Sequence, residues 1–208
     1  TPAEALELAL AINAAPGLRF AGLMTYPPTG GATQVTTWLA EAKDLIEATD
    51  LTVEVISSGG SPDMWRAHHM PLATEYRIGT YIYNDRSLVT RGTCDWDDCA
   101  LTVLATVVST PSKTRAIIDA GSKVLTSDLL GLDGFGHVLG HPDLKIDQLS
   151  EEHGRITSDQ PTGLRVGDQL RIVPNHACVV SNMLDHVTLM RGDEIIGTEP
   201  VAARGQVW

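Results

Sequence analysis

A parallel α/β unit followed by an antiparallel β domain is the fold class the sequence predicts, and three observations predict it. In the first eighty-odd residues short apolar runs alternate with helical stripes, the pattern of βαβ units. From Cys99 onward, β-rich runs are split by Gly, Pro and Asp with no long helical stripe between them, the pattern of an antiparallel, barrel-like domain. Between the two lies the polar, aperiodic stretch 84–98, which sets the division at 1–90 and 91–208.

Residues 2–15 are rich in helix formers and end at the breaker Pro16-Gly17. A short buried strand is expected over 20–26, closed by Pro27, Pro28, Gly30 and Gly31. Val35, Trp38, Leu39, Ala42, Leu45 and Ile46 form one apolar stripe at helical spacing. A second strand follows at 51–57, then Ser58-Gly59-Gly60-Ser61-Pro62 and a short helix through Trp65 and His68. The run 76–83 reads as a third strand. Beyond residue 99, Arg191-Gly192-Asp193 between two apolar runs predicts a hairpin turn. Three parallel strands do not close a (β/α)8 barrel, which takes about 250 residues, and a parallel sheet is normally covered on both faces. Further βα units are therefore expected to precede Thr1 in the working molecule.

Charge and cysteine content narrow the function. With 26 acidic against 15 basic side chains the net charge is -11, which argues against nucleic-acid and anionic-membrane partners. No apolar run approaches the roughly 20 residues of a membrane span, and no signal segment is recognisable, so a cytoplasmic location is expected. Cys94, Cys99 and Cys178 contain no CxxC pair and imply neither a disulfide framework nor a complete structural zinc site. Cys94 and Cys99 read as reduced structural thiols.

Two stretches could carry chemistry. His176 and Cys178 lie two apart in a β-favouring run, so on a strand both would point to one face, and imidazole with thiolate suits a borderline-soft ion such as zinc. Two ligands do not fill a tetrahedron, and a small buried Cys beside a hydrogen-bonded His is the alternative reading. The Ser58-Gly59-Gly60-Ser61-Pro62 turn follows a strand, with Ser61 placed to cap a helix and Pro62 in its first turn. Its glycines and free N–H groups could receive a phosphate, although a plain βα turn of small residues explains the same string. Arg77-Ile78-Gly79-Thr80 supplies a second small-residue patch, and Tyr26 ends the first strand, where simple packing is the alternative. The side chains of His68-His69 would diverge on a helix, a poor metal motif, and His137, His141, His153, His186, Asp133, Asp143 and Asp147 read as surface, loop or turn residues.

SSGGS (57–61), RIGTYIYNDR (77–86), DAGSKVLTSD (119–128), LSEEHG (149–154) and VPNHACVVSNMLD (173–185), taken in this order, resemble the D-threonine aldolase and D-serine dehydratase-like family. The resemblance implies pyridoxal-phosphate enzymes with an alanine-racemase-type barrel followed by a β domain. It implies the C-terminal part of that (β/α)8 barrel here, with roughly the first five strands absent. By the same resemblance Ser58, Gly59, Gly60, Ser61, Gly79 and Thr80 would hold the cofactor phosphate and Tyr26 would sit by the pyridine ring. His176 and Cys178 become metal ligands, with zinc the first choice and manganese the second. The lysine that forms the Schiff base with the cofactor is missing: Lys43, Lys113, Lys123 and Lys145 lie in no matching context. Tyr26 is followed by Pro27-Pro28, where many relatives carry Gly-His. The implied function is part of a metal-assisted lyase on D-configured β-hydroxy-α-amino acids, completed by an N-terminal barrel portion and acting as a homodimer. A non-catalytic phosphate- or metal-binding module is the alternative that the missing lysine suggests.

Overall fold

The computed structural model describes residues 1–206 and divides them into two units, 1–81 and 82–206, each with its own core.

In the first unit, helix α1 (Pro2–Ala14) is opened by Thr1, whose hydroxyl accepts from the Glu4 N–H. Strand β1 (Gly22–Met24), helix α2 (Ala32–Glu47), strand β2 (Val55–Ser58) and strand β3 (Glu75–Tyr76) follow. The three strands are parallel in the order β1-β2-β3. Helix α2 buries Leu39, Ala42 and Ile46, spaced by three and four, against Phe20, Leu23 and Ile56. Gly22 permits the close approach of β1 and β2, since a Cβ there would lie 1.8 Å from the Val55 carbonyl oxygen. A 3-10 segment, Ser61–His69, links β2 to β3. The expected strand over 76–83 ends at Tyr76: once the Arg77 N–H has met the Ser58 carbonyl, β2 offers no further ladder, and Thr80–Ile82 closes into a 3-10 turn.

The second unit begins with helix α3 (Arg86–Thr90), so the stretch expected to be aperiodic is ordered, and its Asp85 cap is fully buried. Strands β4 (Val103–Ser112) and β5 (Arg115–Ile118), helix α4 (Ser122–Leu125), and strands β6 (His137–Val138), β7 (Lys145–Leu149), β8 (Gly154–Thr157) and β9 (Gln169–Val173) come next. They form a six-stranded antiparallel sheet in the order β6-β9-β4-β5-β8-β7. Just before β6, the Phe135 N–H donates to the Ile146 carbonyl on β7, drawing the two edges together so that the sheet is nearly closed. Alternation is strict where it matters: Val103, Ala105 and Val107 point into the core and Leu104 out. Ile118, Val138, Ile146, Ile156 and Ile172 complete that core.

After β9 the chain forms helix α5 (Ala177–Met183) and a hairpin of β10 (His186–Arg191) and β11 (Glu194–Pro200), turning at Gly192 with φ +61° as the sequence predicts. The β-rich reading of the C-terminus stops at Pro200, beyond which turns continue, and Val207 and Trp208 lie outside the described residues. No helix among the described residues is long and apolar enough to cross a membrane.

Replacing Ile156 by Ala should cost about 2–5 kcal/mol through the cavity it leaves, whereas Leu104→Ala on the outer face should stay within about 0.5 kcal/mol. Urea midpoints of the two variants against the parent chain measure the difference.

Candidate active site

At the C-terminal ends of the parallel strands, polar side chains replace apolar ones. The hydroxyls of Thr25 and Ser58 are 2.8 Å apart, and Ser58 also approaches the Met70 sulfur at 3.6 Å. Arg77 reaches over both strands, donating to the Ser57 hydroxyl at 2.6 Å and to the Thr25 carbonyl at 2.8 Å. Next to them a hollow is lined by Tyr26, Gly59, Gly60, Pro62, Asp63 and Tyr76, among others. A Cβ on Gly59 would fall 2.3 Å from the Tyr76 ring, and one on Gly60 would fall 2.8 Å from the Tyr26 ring, so the glycines are what let two phenol rings close over the turn. Tyr76 donates to the Asp63 carbonyl at 3.2 Å, and burial pushes its phenol up.

Of the predicted cofactor residues, Tyr26, Gly59 and Gly60 therefore line one hollow. Ser58 is fully buried and turned toward Thr25 and Met70. Ser61 is the buried first residue of the 3-10 segment, and the cap position expected for it falls to Gly60, because the turn tightens one residue earlier. Gly79 and Thr80 do not line the hollow. Gly79 has open space where a Cβ would stand, and Thr80 starts the next 3-10 turn.

In the second unit the strand expected to carry both His176 and Cys178 ends at Val173. Pro174 has no N–H to give the ladder, and His176 stands in extended conformation immediately before α5. Cys178 is thus in the first turn of a helix, exposed to solvent, and the two residues do not share a strand face. Strand propensity of Val179 and Val180 lost to tertiary packing: Val180 is fully buried in the β-unit core from a helical position.

What holds this corner is a set of residues that spacing alone did not single out. Asp85 accepts from the Leu88 N–H at 3.1 Å and the Ser87 hydroxyl at 2.7 Å with one oxygen, and from the Ala177 N–H at 3.0 Å with the other. Asn175 donates to the carbonyls of Asp128 and Gly134, both at 2.9 Å, and accepts from the Gly136 N–H and from Arg86. The Asp128 carboxylate lies 2.9 Å from His176 Nδ1. Burial lowers the Arg86 guanidinium, which also donates to the carbonyls of Gly134 and Asp133. The available signals were the acid closing DAGSKVLTSD and the Asn-His pair of VPNHAC, polar residues placed at element ends where turn chemistry alone does not require them.

Among the described residues no cluster of three or more His, Cys, Asp or Glu is arranged to hold a metal ion. The donor set at His176 and Cys178, one imidazole and one exposed thiol, suits a borderline-soft divalent ion whose other positions are filled by water or substrate. Other candidate residues resolve into structure. His137, expected at the surface, lies in β6 and stacks on Trp96 with ring centres 3.8 Å apart. Asp147, expected in a solvated turn, is a β7 residue clamped by Arg155 through two bonds of 2.8 and 2.9 Å. Cys94 and Cys99 are free thiols, and burial pushes Cys99 up to about 12. Lys43 pairs with Glu47 on α2, Lys123 with Glu152 and Lys145 with Asp133. None of the four lysines stands at the end of a parallel strand.

Comparison with known proteins bears on the family and the fold. Residues 1–87 match the family described as "Alanine racemase, N-terminal domain", and residues 100–190 match "Putative serine dehydratase domain". An uncharacterised protein of Mycobacterium bovis is 40% identical over 121 residues, 55% of this chain and 91% of that protein. The 3-hydroxy-D-aspartate aldolase of Paracoccus denitrificans is 29% identical over 230 residues, 99% of this chain and 57% of its own. Among solved structures, D-threonine aldolase from Filomicrobium marinum superposes with TM-score 0.77 at 26% identity, over 98% of this chain and 58% of that one. D-threo-3-hydroxyaspartate dehydratase, from Delftia sp. HT23, superposes with TM-score 0.78 at 26% identity, over 92% of this chain and 57% of that one. It was also solved as a cysteine-to-alanine variant in the metal-free form and as a histidine-to-alanine variant, the two positions being two residues apart. The chain thus spans just over half the length of relatives with a named activity. An alanine-racemase-like fold joined to a barrel-like β sheet defines the class of protein. Within that class, the chain belongs to the D-threonine aldolase and D-serine dehydratase-like family.

Two measurements probe the corner that carries His176. Asp85→Ala leaves the Ala177 N–H and the Ser87 hydroxyl without their buried acceptor, while the Leu88 N–H keeps the carbonyl of residue 85, and should destabilise the second unit by about 1–3 kcal/mol for each unpaired donor, read as a lower denaturation midpoint. Burial, and then the Arg86 charge, hold His137 below its ordinary value of 6.5. The unfolded chain therefore takes up this proton first, so the contribution is complete above about pH 6.5 and is lost as pH falls toward the folded-state value. The urea midpoint should drop between pH 7.5 and 5.5, and His137→Gln should flatten that slope.

Proposed function

We propose that this chain is part of a metal-assisted, pyridoxal-phosphate-dependent lyase acting on D-configured β-hydroxy-α-amino acids. The observation that carries the reading is the pair His176 and Cys178, with the imidazole gripped from behind by Asp128 and the thiol exposed two residues on. That spacing equals the separation of the histidine and cysteine replaced in the D-threo-3-hydroxyaspartate dehydratase variants, one of them metal-free. It favours dehydration, which yields a keto acid and ammonia, over retro-aldol cleavage, which yields an aldehyde and glycine.

The glycine turn supports a cofactor reading, because Gly59 and Gly60 bring bare backbone and the Tyr26 ring to one hollow at the strand ends. Tyr26 would flank the pyridine ring. Ser61 and the backbone of the turn, with Gly79 and Thr80 from the neighbouring segment, would take the phosphate. Arg77 keeps a positive charge at the strand ends, two of its three guanidinium nitrogens committed to Ser57 and Thr25, so it acts as a fixed charge. When bound, pyridoxal phosphate supplies the electron sink for breaking a bond at the amino-acid α or β carbon. A divalent ion, zinc before manganese, would be held by His176 Nε2 and Cys178 Sγ and supply Lewis acidity toward the β-hydroxyl. His176 keeps one nitrogen lone pair for that role only while Nδ1 carries hydrogen.

The cofactor-binding lysine would come from an N-terminal barrel portion, in the same parent chain or a separate one. The three-stranded parallel sheet favours this, since Met24 and Tyr26 at the end of its edge strand are largely exposed. The assembled enzyme would work in the cytoplasm as a homodimer.

The test joins this chain to its N-terminal portion, loads cofactor and zinc, and assays D-threonine, D-serine and D-threo-3-hydroxyaspartate. Keto acid or aldehyde should form from the D isomers, with His176→Ala slower by about 100-fold, the scale of losing one electrostatic stabiliser. A cofactor-loaded protein that turns over none of the three rejects the enzyme reading.

A further inference from the structure

His176 could meet a ligand through either ring nitrogen, and the structure assigns one of them. An ionised carboxylate only accepts hydrogen bonds, so at 2.9 Å from Asp128 Oδ2 the His176 Nδ1 must carry the hydrogen. The neutral ring then bears its lone pair on Nε2. We propose that Asp128 is a positioning residue which fixes His176 in this tautomer and orientation, so that Nε2 presents its lone pair to a divalent cation. The proposal rests on the metal reading above for what Nε2 meets, and on geometry for the rest.

The alternative is a surface ion pair of no consequence. Both side chains are partly exposed, 28% and 41%, so attraction between them is screened and contributes little by itself. The surroundings are built for placement instead. Asp128 is tied at its backbone as well, its carbonyl accepting from Asn175 Nδ2 at 2.9 Å and its N–H donating to the Thr126 hydroxyl at 3.3 Å. Asn175 is the residue immediately before His176, so one loop is fastened to the other at adjacent positions by a backbone clamp and a side-chain clamp. Thr126 pays for this with φ +63°, a left-handed conformation that a β-branched residue avoids unless neighbouring contacts enforce it. A flexible imidazole would instead favour hydrogen on Nε2, the commoner tautomer of free histidine, and would have to exchange it before binding a cation there. Carboxylates behind metal-binding imidazoles act in this way, and their loss costs about 10- to 100-fold in metal affinity.

Two readouts on the full chain test the inference, and the first needs neither cofactor nor metal. Long-range nitrogen–proton NMR spectra of the metal-free protein should show His176 protonated on Nδ1, and Asp128→Ala should move it to the Nε2–H form. Zinc titration against a chromophoric chelator should show a loss of about 10- to 100-fold in affinity for Asp128→Ala. The neighbouring exposed-site variant Ser127→Ala should stay within about twofold of the parent, below the range expected from losing the carboxylate. An Nε2–H tautomer in the parent chain overturns the proposal, as does an Asp128→Ala protein with an unchanged tautomer or with zinc affinity within that twofold margin. Equal zinc binding by the parent and His176→Ala instead rejects the metal reading, and the tautomer measurement then decides the positioning role alone.

Discussion

The carboxylate of Asp85 is the interaction on which the second unit's functional corner depends. It is a fully buried acid, and both its oxygens are filled by the Leu88 and Ala177 N–H groups and the Ser87 hydroxyl. A buried ionised carboxylate without donors would be prohibitive, and backbone N–H groups at two helix starts are the donors best able to satisfy it. The backbone repeats the link, since the Arg86 N–H donates to the Pro174 carbonyl and the Ser87 N–H to that of Asn175. Residues 84–88 and 174–177 are therefore one junction made from chain segments about ninety positions apart. Asp85 thus holds the first N–H of α5, directly beside His176, while the backbone bonds and Asn175 hold the residues before it.

That junction also separates what was legible in the sequence from what was not. Period-two alternation in β4, the α2 stripe, the parallel first unit, the antiparallel second one and the Gly192 hairpin could all be read locally, because each is decided by neighbours within a few residues. The strand expected through His176 and Cys178 failed for a reason that is partly local and partly not. Pro174 announces the end of the ladder, yet Val179 and Val180 carry strand propensity, and the contacts that favour the helix, the burial of Val180 and the Asp85 bond to the Ala177 N–H, come from distant parts of the chain. The strand at 76–83 failed similarly, since β2 leaves the chain beyond Arg77 without a pairing partner.

The glycine turn was legible for a different cause. Gly59 and Gly60 announced close approach, and the structure identifies what approaches: the rings of Tyr76 and Tyr26. Arg77 was visible as a charge next to a strand, but its reach to Ser57 and Thr25 depends on the parallel order of three strands. Ser58 illustrates the limit of reading a motif as a list of ligands. Its side chain is consumed by Thr25 and Met70, so within the same five-residue string one serine supports the strand ends while the glycines shape the hollow.

Backbone strain gives an independent view of the same corner. Among the described residues, the non-glycine ones with positive φ are Asn84, Thr126 and Leu130. Each lies within two positions of Asp85 or Asp128, the acids that fix α5 and His176. Such conformations cost on the order of 1–3 kcal/mol and persist only where surrounding contacts over-determine them. At Thr126 the contact is its hydroxyl, which accepts the Asp128 N–H, so the loop that places the imidazole also holds this strained turn. A corner that served folding alone could relieve the strain at Thr126 by a glycine, the residue found at the other tight turns of this unit, such as Gly131, Gly134 and Gly136. Retaining a threonine keeps the hydroxyl that receives the Asp128 N–H, and with it the direction of the carboxylate toward His176. Local stability and placement of the imidazole thus pull in opposite directions at Thr126, and the residue present there is the one that serves placement.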